Sequence, residues 1–192
     1  CKQVVGYEAN PDTFAFLKLN VHLNEAGNVT LFNLAVGDSA RAIEFYQNRS
    51  NSGGSKIKPQ KDQFIYTYDA PKTIEVPMVS LDEHIQKEKL PQPTGIIMDI
   101  EGAEYLALKG ARQTMSTVRY LYIEFVPHHL ENVAGVSNSD FFAQLIPHFD
   151  EVRFMRTRPG SIDLKKDSET FLRAADEYRR DGRSDDLMFL KK

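Results

Sequence analysis

The chain has 192 residues, of which 41 % are hydrophobic and 27 % charged, and its net charge is −3. A chain of this length buries about 70 % of its unfolded surface, so a single domain over residues 1–192 is expected and disorder or a fibrous repeat is excluded. No apolar run reaches the ~20 residues that cross a bilayer, and the charge balance marks neither nucleic acid nor an anionic membrane as a partner.

The only cysteine, Cys1, allows no internal disulfide, and a cytoplasmic, reducing setting is the simplest expectation. Gln3 to Tyr7 predicts a short buried strand. Asn10-Pro11-Asp12 then supplies a helix N-cap, a proline at the first helical position and an acid in the first turn. Phe14, Leu17 and Val21 repeat at helical spacing, with Phe16, Leu19 and Leu23 widening the apolar face until Asn24 and Gly27 end the helix. Val29 to Val36 predicts a second strand closed by Gly37-Asp38, and Ala42 to Tyr46 a third. Gln47 to Gln63 is polar, with Ile57 its only apolar residue, the composition of a mobile flap.

Thr73 to Met78 is extended. Ser80-Leu81-Asp82-Glu83 fits a capping box for a short helix, which Leu90-Pro91-Gln92-Pro93 stops. Gly95 to Ile100 predicts a strand covered on both faces, followed by a helix from Ala103 to Met115 and another buried strand from Val118 to Val126. Ser139 and Asp140 open a helix, Val152 to Met155 is extended, Ser168 to Arg180 is helical up to Gly182, and Leu187 to Leu190 is the last strand. Alternating strands and helices imply an α/β fold, a mostly parallel sheet with helices on both faces.

Ligands in such sheets bind at the carboxyl ends of the strands, and four strand ends carry polar residues. Glu8 follows the first strand, where a carboxylate accepts from the vicinal hydroxyls of a ribose or supports the helix start. Asp38, after Ala35-Val36-Gly37, could accept from an adenine amino group or simply make a Gly-Asp turn. Asp99, Glu101 and Glu104 place three carboxylates within six residues; carboxylates are costly to desolvate, so they need a ligand, a cation or solvent, unless one caps the following helix. Tyr122-Ile123-Glu124-Phe125-Val126-Pro127-His128-His129 puts an acid inside a strand and two histidines just after it, His129 reading as solvated surface. Adjacent histidines signal a metal weakly, and no metal ligand is assigned. Gly53-Gly54 lacks the Lys-Ser/Thr ending of a phosphate-binding loop.

Val5 to Asn24, Ala35-Val36-Gly37-Asp38, Val79-Ser80-Leu81-Asp82, Asp99-Ile100-Glu101-Gly102-Ala103-Glu104 and Leu108-Lys109-Gly110-Ala111 together resemble the FkbM family of adenosylmethionine-dependent methyltransferases. The resemblance implies a Rossmann-like class I methyltransferase sheet and O-methylation of a hydroxyl on a sugar or natural-product-type small molecule, with S-adenosyl-L-methionine as cofactor. It implies Glu8 on the ribose and Asp38 near the adenine, with Asn10 and Val36 beside them. Asp99 is expected on the methionine or substrate side, and Glu101 or His128 as general base. The family's first strand and glycine-rich loop are absent from the chain, and its lysine two residues before Asp99 is here Ile97. A strand from residues upstream of Cys1, or from another copy in a homo-oligomer, is expected between the strands at Val4 and Ile96, and the chain without it is expected to be unstable as an isolated monomer. The alternatives are a degenerate methyltransferase fold serving as a binding or assembly module, and a nicotinamide oxidoreductase, which leaves the Asp-x-Glu-Gly block without a role.

Overall fold

The computed structural model describes residues 1–61 and 63–192. Strand β1 (Val4–Tyr7) leads into helix α1 (Pro11–Leu23), whose N-cap Asn10 accepts from the Asp12 amide. Next come β2 (Val29–Phe32), β3 (Ala35–Gly37), β4 (Arg41–Gln47), β5 (Lys56–Ile57) and the one-turn helix α2 (Phe64–Thr67). Strand β6 (Lys72–Ser80) and helix α3 (Leu81–Glu88) precede β7 (Gly95–Met98), α4 (Glu104–Lys109) and α5 (Arg112–Thr117). Strand β8 (Tyr120–Phe125), α6 (Pro127–His129), a π-turn over Leu130–Ala134, and α7 (Asn138–Ala143) follow. The chain closes with β9 (Glu151–Phe154), β10 (Ile162–Asp163), α8 (Leu164–Asp181) and β11 (Asp185–Leu190).

The expected mostly parallel sheet is corrected here, because the described strands form three groups, the parallel pair β1-β2 and two mixed sheets, β10-β9-β11-β8-β7 and β3-β6-β4-β5. Only β1-β2, β3-β6 and β7-β8 pair in parallel. Two local causes account for this. The single strand expected from Val29 to Val36 breaks at Asn33, whose side-chain amide donates to the carbonyls of Glu8 and Ala9 at 2.7 and 3.2 Å. The backbone turns there, and β3 leaves for another sheet. The second cause is Pro159-Gly160, where Gly160 at φ +89° lets the chain reverse from β9 into β10. Helix α8 then crosses over, and β11 inserts antiparallel between β8 and β9.

The main core lies between these strands and α7 and α8, where Phe125, Phe142, Phe171, Tyr178 and Phe189 are fully buried. Among the described residues, β1 is bonded only to β2 and β7 only to β8, and their other edges are open. Ile97 is 84 % exposed on β7, and α1 buries no residue, leaving Phe16, Leu19 and Leu23 in solvent. The apolar face predicted for α1 is thus present but uncovered by the described chain. No described helix is long and apolar enough to cross a membrane.

In the stretch Gln47 to Gln63, expected as a mobile flap, several described residues are hydrogen-bonded to the rest of the chain. Gln47 donates to Asn10 Oδ1 at 2.9 Å, Asn10 Nδ2 donates to the Ser55 hydroxyl at 3.3 Å, and Asp69 accepts from the Arg49 and Ser50 amides. Lys56 and Pro59 are buried, and Asp62 lies outside the described residues.

Candidate functional site

The turn after β7 carries two consecutive residues at positive φ. Glu101 sits at φ +57° and Gly102 at φ +100°, a left-handed pair in which the first residue is not glycine. Such a conformation persists only where the surroundings hold it. Here the holder is Glu104, which is buried and accepts from the Ile100 amide at 3.0 Å and the Gly102 amide at 2.9 Å. Burial pushes its carboxyl up to about 7 against the opposing effect of those amides. Of the three acids, Glu104 therefore builds the turn, while Glu101 is turned toward its neighbours and Asp99 stays exposed at the strand end. Burial, then Glu101 and Asp186, raise the Asp99 carboxyl.

Glu101 Oε2 receives the Lys56 ammonium at 3.0 Å, and only 6 % of the Lys56 side chain is exposed. The pairing of β4 with β5 explains how a lysine is buried. Alternation along β5 packs Ile57 against the small cluster of Phe45, Val76 and Met78, which sends Lys56 to the opposite face. Its Nζ also lies 5.6 Å from the centroid of the Tyr66 ring.

On the other side of Glu101 is His129, with Nδ1 3.6 Å from Oε2. The side chain is 13 % exposed, so the expectation of solvated surface is corrected. Pro127 opens α6 at its first position, and successive residues then point about 100° apart. One histidine faces Glu101, and His128 is left in solvent with its ring 4.5 Å from that of His129. Burial, then Lys56 and His128, hold the His129 imidazole down at about 3, so it is neutral near pH 7. Burial and Lys56 also lower His128. Tyr66 fixes the segment by donating to the His128 carbonyl at 3.3 Å, and Asn132 Nδ2 donates to the Tyr66 hydroxyl at 3.4 Å.

Glu124 completes the group from β8. Its register partner on β11 is Asp186, which the Arg156 guanidinium and the Tyr122 hydroxyl engage. Glu124 has no hydrogen bond or ion pair to any described residue, and burial, then Asp99, Glu101, Glu104 and Asp186, push its carboxyl up to about 8. Donor atoms of Glu101, Glu124 and His129 lie within 4.8 Å of one another.

Across the rim, Glu8 ends β1 half-buried. Its Oε1 accepts from the Asn10 amide at 2.7 Å, and burial raises its carboxyl despite that bond. The buried Asn10 side chain is fully engaged, with Asp12 and Gln47 on its oxygen and Ser55 on its nitrogen. The loop 47–56 consequently ties the Glu8 end of the rim to the Glu101 end, through Asn10 to Ser55 and Lys56 to Glu101. Val36 packs half-buried against the main core. Asp38 is held by Arg41 and lies 4.0 Å from Lys109, at the far end of α4 from Glu101. Burial raises its carboxyl, but Arg41 and Lys109 outweigh it and keep Asp38 below the usual range.

The chain is thus a mixed α/β protein with acidic residues at the ends of β1 and β7. The profile of the methyltransferase FkbM domain matches residues 1–157, and the chain belongs to that family. Among curated relatives, 2-O-methyltransferase NoeI of Sinorhizobium fredii is 24 % identical over 166 residues, 81 % of this chain and 67 % of the relative. Hexuronic acid methyltransferase AglP of Haloferax volcanii is 26 % identical over 122 residues, 63 % of this chain and 46 % of its own length. The crystal structure of Methyltransferase FkbM from Methylobacillus flagellatus KT superposes with a TM-score of 0.55 at 16 % identity, over 98 % of this chain and 36 % of that one. The likeness to that structure concerns the fold.

Proposed function

We infer that this chain forms the catalytic domain of an S-adenosyl-L-methionine-dependent O-methyltransferase acting on a hydroxyl of a sugar or a related small molecule. The observation that carries the reading is the family match over residues 1–157, which spans the strand-end acids from Glu8 to Glu124. Two relatives, one named a 2-O-methyltransferase and the other a hexuronic acid methyltransferase, support an oxygen acceptor on a carbohydrate.

The donor, when bound, supplies an activated methyl group on sulfur. Glu8 fits its ribose, because its carboxylate is half-buried at the end of β1 and, although the Asn10 and Ala9 amides act on it, burial still raises it. Such a carboxylate recovers its lost hydration by accepting hydroxyl hydrogen bonds. Val36 would line the base, and Asp38 would share its carboxylate between Arg41 and an amino group. Asn10 acts as a positioning residue, since its polar atoms hold the helix start and the loop 47–55. On the acceptor side, Asp99 and His128 are the exposed members beside Glu101. Asp99 orients the acceptor hydroxyl, and His128 or Glu101 takes its proton.

Titration calorimetry of the full-length protein with S-adenosylmethionine tests the donor side. Glu8→Ala removes charge-assisted hydrogen bonds worth about 1.5–3 kcal/mol each and is expected to weaken binding at least about ten-fold. Unchanged affinity removes Glu8 from the site, and absence of binding to the unmodified protein refutes the donor reading.

A further inference from the structure

We propose that Glu101, Glu124 and His129 form a binding site for a divalent transition-metal cation. The three come from separate elements, the turn after β7, the end of β8 and α6, and their donor atoms still converge to within 4.8 Å of one another. Two of the donors lack partners. His129 Nδ1 is shielded from solvent and has no hydrogen bond, since its 3.6 Å approach to Glu101 Oε2 is too long for one. Glu124 has neither hydrogen bond nor ion pair to a described residue, although Asp99, Glu101, Glu104 and Asp186 all act on it. A polar atom closed to solvent ordinarily has a partner, and a cation would supply one to His129 Nδ1 and a counter-charge to the half-buried Glu124.

Among the described residues, the cation paired with this group is Lys56, 3.0 Å from Glu101 Oε2. It serves Glu101 and leaves the other two donors unserved. The donor set names the class of ion. Two carboxylates and one imidazole suit Mn²⁺, Fe²⁺, Co²⁺ or Zn²⁺ better than Ca²⁺, which prefers oxygen alone, or Cu⁺, which prefers sulfur. Three protein ligands leave coordination positions open. Resting on the acceptor-side reading above, an acceptor hydroxyl at one open position, next to the exposed Asp99 and His128, would be held by the ion and would release its proton more readily.

The test uses the full-length protein stripped with EDTA and titrated with Mn²⁺, the free ion followed by paramagnetic resonance. No methyl donor or acceptor is present, so failure here is distinct from failure of the methyl-transfer reading. One equivalent of Mn²⁺ is expected to bind saturably, and Glu124→Gln and His129→Gln are each expected to weaken it about ten-fold or more. Circular dichroism and thermal unfolding establish that these variants remain folded. Should either fail to fold, Lys56→Met decides: removing the competing ammonium is expected to tighten Mn²⁺ binding several-fold. No saturable binding below about 1 mM (~4 kcal/mol), equal affinity in the folded ligand variants, or no tightening in Lys56→Met overturns the site.

Discussion

Substituting Gly102 by alanine should damage both the stability and the shape of the site, because a Cβ there meets two independent obstacles. The first is conformational. At φ +100° an L residue is strained, and the left-handed region costs roughly 1–2 kcal/mol. The second is steric, since the added carbon would lie 2.7 Å from Val133 Cβ and 2.9 Å from its Cγ2. Val133 is 1 % exposed and belongs to the π-turn, so it has little room to retreat, and overpacking of this kind costs about 1–3 kcal/mol. The sum, about 2–5 kcal/mol, is a large share of a typical stability of about 5–15 kcal/mol. Urea unfolding followed by circular dichroism measures it. Val133→Gly in the same chain separates the two parts: it removes the Cβ and both Cγ carbons that the new carbon meets and leaves the conformational part, so the double variant should be more stable than the sum of the single losses by about 1–3 kcal/mol. A loss below about 1 kcal/mol in Gly102→Ala, or strict additivity with Val133→Gly, would refute the account of this turn.

Glu104 gives the fold a pH dependence of known sign. Its carboxyl rises from 4.5 to about 7 on folding, so its contribution is fully present below about 4.5 and is lost as pH rises through about 7. The loss is ~3 kcal/mol, and Glu104→Gln should remove it, so that the variant gains on the parent by that amount between pH 4.5 and 8. A pH-independent difference between the two would show that Glu104 does not ionise in place. Asn10→Ala should lose the N-cap of α1, worth about 0.5–2 kcal/mol, and should expose the loop 47–55 to proteolysis by removing its bonds to Gln47 and Ser55. Equal cleavage of parent and variant in that loop would contradict the tie.

Much of this was legible because local chemistry decides it. Asn10-Pro11-Asp12 starts α1 and Gly182, at φ +65°, ends α8, and in both places a short signal matches a backbone requirement. One of the three clustered acids was expected to cap the following helix; instead Glu104 accepts from the Ile100 and Gly102 amides of the turn, and Ala103 at the start of α4 makes no side-chain cap bond. What escaped depends on long-range partners. Asn33 breaks a strand only because the carbonyls of Glu8 and Ala9 are within reach, and a run from Val29 to Val36 gives no hint of it. Pro159-Gly160 was a readable turn signal that reverses the chain into β10. Lys56 reads as a charge in a polar loop until β5 pairs with β4 and buries it beside Glu101. The two histidines were visible, but which one faces inward is set by the start of α6 at Pro127. Glu124 looked like an acid caught inside a strand, and its importance follows from which strands flank it.

The central claim is methyl transfer to a carbohydrate hydroxyl, and one measurement reaches it directly. The full-length protein is incubated with methyl-labelled S-adenosylmethionine and a panel of free and linked hexoses, deoxyhexoses and hexuronic acids, and the product is analysed for the labelled atom. Label on a sugar oxygen, strongly reduced in Asp99→Asn and lost when Glu101→Gln and His128→Gln are combined, is the predicted result. A protein that binds the donor but labels none of these acceptors, or labels them equally well in those variants, would contradict the account.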